Sequence, residues 1–402
     1  MASRRILPPL LSLAAIVALA QGGAVLGEDA PEDTQAQVIA RPGCNASAFA
    51  QLPRDPDLFI GRQLLTADGQ LAPPAGAQDC SGGNPDNEKA GKSFNRWSLM
   101  LDRFDWKAKK FEVVKPLIDT SVDPATGHSR ARITAGPMKG AVIRSAYDPS
   151  VVIYKDVYYV AYECTIEDGA RYGAAGTSSC ISVFEPRSRT IDFARTRVLV
   201  NGAERQGVFW AAAVPLLLEL SGKLYLYWSA GARRDGQIVD WRVRSAEISV
   251  DEDGPRIKGS GSRPVHSMTS LGQDVWRSGH GTQILDLFNV FRDADTTYAL
   301  FASGGRGCSA PSSAVPDCYR LSVSKVTHAS AAQIIDTTRL IARPLPVNAV
   351  EYPILVRDPQ GRVFLMGHFL RPRARSGMTM PDMKFWSEYE PMSVYAMVPF
   401  FH

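Results

Sequence analysis

The feature that most constrains this 402-residue chain is a hairpin that keeps returning. An apolar run, a short turn and a run rich in tyrosine or phenylalanine recur in the same order. The first copy is Asp148-Pro149-Ser150-Val151-Val152-Ile153-Tyr154, a turn at Lys155-Asp156, and Val157-Tyr158-Tyr159-Val160-Ala161-Tyr162. The second is Val214-Pro215-Leu216-Leu217-Leu218, a turn at Ser221-Gly222-Lys223, and Leu224-Tyr225-Leu226-Tyr227-Trp228. A third begins at Thr282 and returns through Thr297-Tyr298-Ala299-Leu300-Phe301, and a fourth runs from Tyr352-Pro353 to Arg362-Val363-Phe364-Leu365-Met366. From Tyr158 to Tyr225, Tyr298 and Phe364 the steps are 67, 73 and 66 residues. A unit of that size has room for four strands, and its repetition marks a repeat architecture.

The second half of each unit echoes as well, in Ile181–Phe184 to Val198–Val200, from Arg242 to Ala246, and in Tyr319–Val323 to Leu340-Ile341. A related pair, Ser98–Leu101 and Phe111–Val114, precedes the first full unit. β-Branched and aromatic runs between Gly, Asp and Pro turns are strand language, and no long amphipathic helix competes with them. Antiparallel four-stranded units set around an axis leave few long edges open. The reading is an all-β chain, a five-bladed β-propeller of four-stranded antiparallel blades over residues 94–402.

Ahead of it, Arg4 and Arg5 precede an apolar run from Ile6 to Ala20 that ends in small residues. Residues 1–27 therefore read as a signal peptide, since the run is short for a membrane span. Residues 28–93 read as an N-terminal extension with linker-like stretches. A secreted or periplasmic protein with no stable membrane span is expected. The formal net charge is only +4, two units of it in Arg4 and Arg5, which gives no support to nucleic-acid binding. Six cysteines in an exported chain point to disulfides. The repeat pairs Cys164 with Cys180 and Cys308 with Cys318, each between second and third strands of a unit, which leaves Cys44 with Cys80. No C-x-x-C pair, Gly-x-Ser-x-Gly elbow or phosphate loop in strand-to-helix context is present.

In a propeller the first strand of each blade lies nearest the axis, so residues at the strand openings converge on one mouth of the channel. Aligning the hairpins places Asp148, Ala213-Val214, His280 and Glu351 at near-equivalent openings. Two carboxylates and an imidazole meet there, with Trp210 as an apolar wall. Glycosidic cleavage by inversion needs two carboxyl groups on opposite faces of the sugar, one to protonate the leaving oxygen and one to activate water.

On Tyr147-Asp148-Pro149-Ser150-Val151, Ser278-Gly279-His280-Gly281 and Glu351-Tyr352-Pro353, the chain resembles the five-bladed propeller glycosidases of glycoside hydrolase family 43 and its relatives. The resemblance implies inverting hydrolysis of a furanoside or pentose-containing saccharide, with Asp148 as base and Glu351 as acid. It implies no required cofactor, and His280 resembles an axial histidine beside a central ion or water. The chain departs from the family at Ala211-Ala212-Ala213-Val214, where relatives carry a third carboxylate; Glu204, Asp240 and Asp286, on other strands, are the candidates to replace it. Arg371, with Arg373 and Arg375, is a further candidate for substrate contact, in particular with an acidic sugar. The partner expected is carbohydrate, bound by a monomer, and the alternative to hydrolysis is a carbohydrate-binding propeller without turnover.

Overall fold

The computed structural model describes residues 37–39, 49–65, 69–70, 97–136, 138–167, 176–205, 208–234, 237–252, 254–261, 263–267, 271–277, 282–293, 296–305, 320–326, 350–369 and 394–399. Every helix-or-strand element among them is a β-strand, and the strands form five sheets in succession. A short strand, β1 (Gln37–Val38), belongs to the last of these. The first sheet is β2 (Phe49–Leu52), β3 (Asp55–Leu64), β4 (Trp97–Asp105) and β5 (Lys110–Ile118), neighbours in that order. The second is β6 (Ile143–Tyr154), β7 (Val157–Ile166), β8 (Ser178–Glu185) and β9 (Thr190–Asn201).

The third sheet is β10 (Ala203–Arg205), β11 (Val208–Leu220), β12 (Lys223–Arg234), β13 (Gln237–Asp251) and β14 (Gly254–Ile257). Its chain then crosses to the second sheet, where β15 (Val265–His266) pairs in parallel with β9. It returns as β16 (Gln273–Arg277), which pairs with β13. The fourth sheet is β17 (Thr282–Asp293), β18 (Thr296–Gly305) and β19 (Arg320–Val326). The fifth is β20 (Val350–Arg357), β21 (Val363–Phe369) and β22 (Val394–Pro399), with β1 antiparallel to β22.

The sheets close into a ring. Their leading long strands β2, β6, β11, β17 and β20 touch one another in cyclic order, and β20 touches β2. Apolar residues fill the seams. Leu99, Leu101, Val160 and Tyr162 share one cluster between sheets one and two, while Ala161, Ile181, Leu226 and Trp228 share another between two and three. At the closing seam Phe49, Phe59, Phe104 and Phe111 pack with Ile354, Val356, Phe364 and Met366. The rings of Phe49 and Phe111 stack there, with centroids 4.2 Å apart. This is the five-bladed propeller that the repeat predicts, and Tyr158, Tyr225, Tyr298 and Phe364 each lie in the second long strand of a blade.

Side chains also tie leading strands across the seams. Ser150 Oγ accepts from the backbone N–H of Leu217, joining the second blade to the third, and Asn289 Oδ1 from that of Leu355, joining the fourth to the fifth. Gln51 donates to the carbonyl of Arg357 and accepts from its N–H, joining the first blade to the last. Backbone groups on a strand with an open edge need partners, and here the adjoining blade supplies them.

Local chemistry explains the hairpins. Lys155 and Asp156 have φ of 49° and 61°, and Ser221 and Gly222 of 51° and 74°, the left-handed pairs whose twist matches a two-residue hairpin. In the turn between β20 and β21, Asp358 accepts from the N–H groups of Gln360 and Arg362.

Three points bear on the expectations. The blades are built on the antiparallel four-stranded meander that the repeat predicts; among the described residues the sheets hold four, five, six, three and four strands, with β10, β15 and β16 as additions. The propeller begins before residue 94, since β3 pairs with β4 along Leu58–Leu64 and puts part of the expected extension inside the first blade. The Cys164–Cys180 disulfide joins β7 to β8 with Cα atoms 5.9 Å apart, as the repeat predicts. Cys44, Cys80, Cys308 and Cys318 lie outside the described residues.

Candidate active site

A proline in the opening of β6, β11 and β20 shapes the mouth on three of the blades. Tyr147 pairs with Glu163 and Ser150 with Ala161, so Asp148 and Pro149 stand against the single residue Tyr162. The same two-against-one bulge recurs at Val214-Pro215 in β11 and at Tyr352-Pro353 in β20. Proline has no N–H for the ladder, and a bulge is where a strand accommodates it. Asp148 and Val214 occupy the left-handed region, with φ of 51° and 45°. For a β-branched valine that region is an outlier, so the bulge stores backbone strain.

These registers refine the alignment of the openings. Asp148 matches Val214 and Tyr352, whereas Glu351 matches Tyr147 and Ala213, one residue earlier. Opposite that earlier position the ladder holds Glu163 in the second blade, Ser229 in the third and His368 in the fifth.

Around Asp148 the second blade carries a buried polar cluster. Its carboxylate accepts from Arg62 Nη1 at 2.8 Å, an ion pair across the first seam whose side chains are 7% and 5% exposed. The Arg62 guanidinium also lies over the ring of Trp97, 4.9 Å from its centroid. Glu163 hydrogen-bonds Asp148, and its Oε2 accepts from the N–H of Val214 at 2.9 Å across the second seam. Tyr147 hydrogen-bonds both Glu163 and Thr177.

Burial pushes the Asp148 carboxyl above the usual aspartate range, against the pull of the Arg62 charge and its hydrogen bonds. The hydrogen bond with Glu163 favours the Asp148 anion, as the Arg62 charge does, and burial opposes both. Tyr147 is raised well above an ordinary phenol, by burial first and by the neighbouring Glu163 next. The arrangement is thus a buried Asp148 clamped by Arg62, with a second carboxyl, Glu163, hydrogen-bonded to it. Such a pair can hold a base in one orientation and exchange a proton with it.

Of the residues singled out from sequence, Asp148 is placed with its full environment. Glu351 lies in β20 opposite His368, with its side chain outside the described residues. Trp210 is half-buried in β11, paired with Ala203 and Ala232, and Ala211–Ala213 follow it as small residues along the same strand. His280, Arg371, Arg373 and Arg375 lie outside the described residues, and so do the side chains of Glu204, Asp240 and Asp286. Among the described residues no group of three His, Cys, Asp or Glu side chains is placed to hold a metal ion.

Sequence reasoning missed Glu163, Arg62 and Tyr147. The signal was present: Glu163 is the one charge in the run from Val157 to Cys164, and Arg62 the one charge from Leu58 to Leu65. A charge inside a buried strand is rare unless it has a partner.

No protein-family model matches the sequence, and no curated protein matches it. Among solved structures, an endo-arabinase from Bacteroides thetaiotaomicron VPI-5482 is 10% identical, with 90% of this chain and 98% of that one covered and a TM-score of 0.47. A GH43_1 enzyme from Xanthomonas citri complexed with xylose is also 10% identical, covering 92% and 91%, with a TM-score of 0.48. An α-L-arabinofuranosidase from Lactobacillus brevis gives 10% identity, 90% and 91% coverage, and a TM-score of 0.44. Likenesses at this level of identity and superposition assign neither family nor activity.

Proposed function

We propose that this chain is an exported, monomeric glycoside hydrolase that cleaves a furanoside or pentose-containing saccharide with inversion. The observation that carries the reading is the Asp148 carboxyl, held at a strand opening by Arg62 from one blade and by Glu163 from its own. Asp148 takes the proton of a water molecule as that water attacks the anomeric carbon. Glu351, on a different blade of the ring, gives its proton to the departing glycosidic oxygen. The two act from opposite faces of the sugar, which is the requirement of inversion. Glu163 and Arg62 are positioning residues: the first keeps Asp148 in register through its hydrogen bond, and the second favours the Asp148 anion. Trp210, His280 and Arg371 contact substrate around the mouth, with an ion or water beside His280 and no other cofactor.

A panel of aryl pentosides, arabinans and xylans tests this, with the anomer of the first product followed by NMR. The expected result is sugar release with inverted configuration, abolished in Asp148→Asn and in Glu351→Gln. Asparagine leaves Arg62 without its counter-charge, so circular dichroism of each variant accompanies the assay. Wild-type turnover in a folded Asp148→Asn protein overturns the assignment. A second reading is favoured by the 5% exposure of the Asp148 side chain and by its pairing with Arg62. On that reading the propeller binds carbohydrate without cleaving it, and the same panel gives binding but no release.

A further inference from the structure

On the rim of the ring, away from the axial mouth, a cavity of about 490 Å³ opens where the crossing segment of the third blade clasps the second. That volume lies in the range of small-molecule sites and far exceeds an inorganic ion. β9, the outermost strand of the second blade's own meander, forms one wall, and β14 with the turn after it forms the other. Four of the five charged side chains that line the cavity are arginines: Arg195, Arg197, Arg256 and Arg263, with Glu252 the fifth.

Three of the four arginines are held by partners within the chain. Arg195 pairs with Asp192 and Glu185, and Arg256 with Asp251, carboxylates that are not part of the lining. Arg197 donates to the carbonyls of Ala194 and Thr196, each at 2.8 Å. Its guanidinium is packed against Gly136, whose φ of 77° favours glycine, with a Cβ there falling 2.8 Å from Cζ. Arg263 is exposed and pairs with no carboxylate among the described residues. Met138, Leu199, Ile257 and Pro264 add apolar surface.

We propose that this cavity is a second carbohydrate site, selective for a sugar that carries one carboxylate, such as a uronate residue. Guanidinium groups fixed in orientation match the planar, bidentate geometry of a carboxylate. The apolar wall suits a sugar face, and Glu252 accepts hydrogen bonds from hydroxyl groups while repelling ligands of higher negative charge. The site lies three strands outward from the axis, roughly 14 Å at the spacing of neighbouring strands. It therefore anchors a polysaccharide without entering the mouth.

The test is titration calorimetry of the full chain with methyl galacturonide, with methyl galactoside and inorganic sulfate as controls. Binding is read at equilibrium, so a failed hydrolase reading leaves the outcome intact. The galacturonide is expected to bind roughly tenfold or more tightly than the galactoside, as one charge-assisted contact provides. Arg263→Ala, an exposed change that leaves folding alone, is expected to remove most of that preference and to leave turnover of neutral glycosides unchanged. Equal binding of the two sugars, or a preference unaltered in Arg263→Ala, overturns the proposal. Sulfate binding as tightly as the galacturonide reduces the site to a general anion site, and tighter binding of a nucleoside diphosphate replaces the sugar with another ligand; either result overturns it.

Discussion

The second and third blades present the same backbone with opposite chemistry. Both open with a residue at positive φ before a proline, and both bulge two residues against one. In the second blade the positions are Tyr147, Asp148 and, across the ladder, Glu163; in the third they are Ala213, Val214 and Ser229. One is an ionised cluster, the other nearly bare. The bulge is therefore a property of the ring and its prolines, while the chemistry at the mouth depends on what each blade hangs there. The bare blade still contributes, because the N–H of Val214 is the donor that holds Glu163.

The largest effect is expected at a buried carboxyl that has no hydrogen-bond partner among the described residues. Asp102, in the first blade, is 1% exposed, and neither of its oxygens makes a hydrogen bond. Desolvation pushes its pKa up to about 8, from an ordinary 3.8. The folded chain then holds this proton to higher pH than the unfolded chain does, so stability contributed by the neutral acid is full below pH 3.8 and is lost as pH rises through about 8. Asp102→Asn is expected to abolish that loss, leaving the variant up to about 5 kcal/mol more stable than wild type at pH 8, read as the difference between their urea unfolding curves at pH 5 and pH 8. Identical pH dependence in the two proteins would refute it.

Breaking the comparison from the ionised side comes next. Asp148→Ala leaves Arg62 buried without its counter-charge and is expected to cost about 3–5 kcal/mol, measured by chemical denaturation. Glu163→Gln keeps a hydrogen-bonding side chain beside Val214 but cannot deliver a proton in the same way. Its expected signature is an altered pH profile of turnover with KM little changed, whereas a purely structural role would leave the profile in place. Reduction of the Cys164–Cys180 bond, which ties the second blade only, is expected to cost about 2–4 kcal/mol. The smallest effect belongs to the bare blade: Val214→Gly relieves the strain at φ 45° and is expected to raise stability by at most about 1 kcal/mol, seen as a small rise in Tm. A marked loss instead would show that the valine side chain, not the backbone, holds the bulge.

Much of the fold was legible in the sequence because hairpins advertise themselves locally. Aromatic second strands such as Val157–Tyr162 and Leu224–Trp228, and turns such as Lys155-Asp156, need no distant partner to be recognised. The first blade was hidden for a spacing reason: the stretch between Leu64 and Trp97 separates β3 from β4 and breaks the period, although Leu58–Leu64 is plainly apolar. The crossing of β15 onto β9 involves two residues, too few to carry a pattern. At the site, Asp148 was found because Asp-Pro marks an opening. Glu163 escaped because it comes from the far end of the adjoining strand, a position set by the bulge register and visible only once the ladder is known. The place where a third carboxylate was sought, Ala211–Val214, is indeed empty of one; the carboxyl beside Asp148 comes from its own blade.

The pairing of Gln37 and Val38 with Met397 and Ala396 has a kinetic consequence. Blades two and three can assemble as soon as their own residues are available, since their contacts are local. The last blade cannot, because its edge strand belongs to the first part of the chain and its partner to the last. During synthesis β1 must wait for β22 to arrive. Contacts of such sequence separation are the slow ones in folding. Until they form, the aromatic seam between Phe49, Phe111 and Phe364 stays open to water and to other chains. The ring is thus vulnerable to aggregation for as long as its two ends remain apart, and joining them is the step a chaperone would most usefully protect.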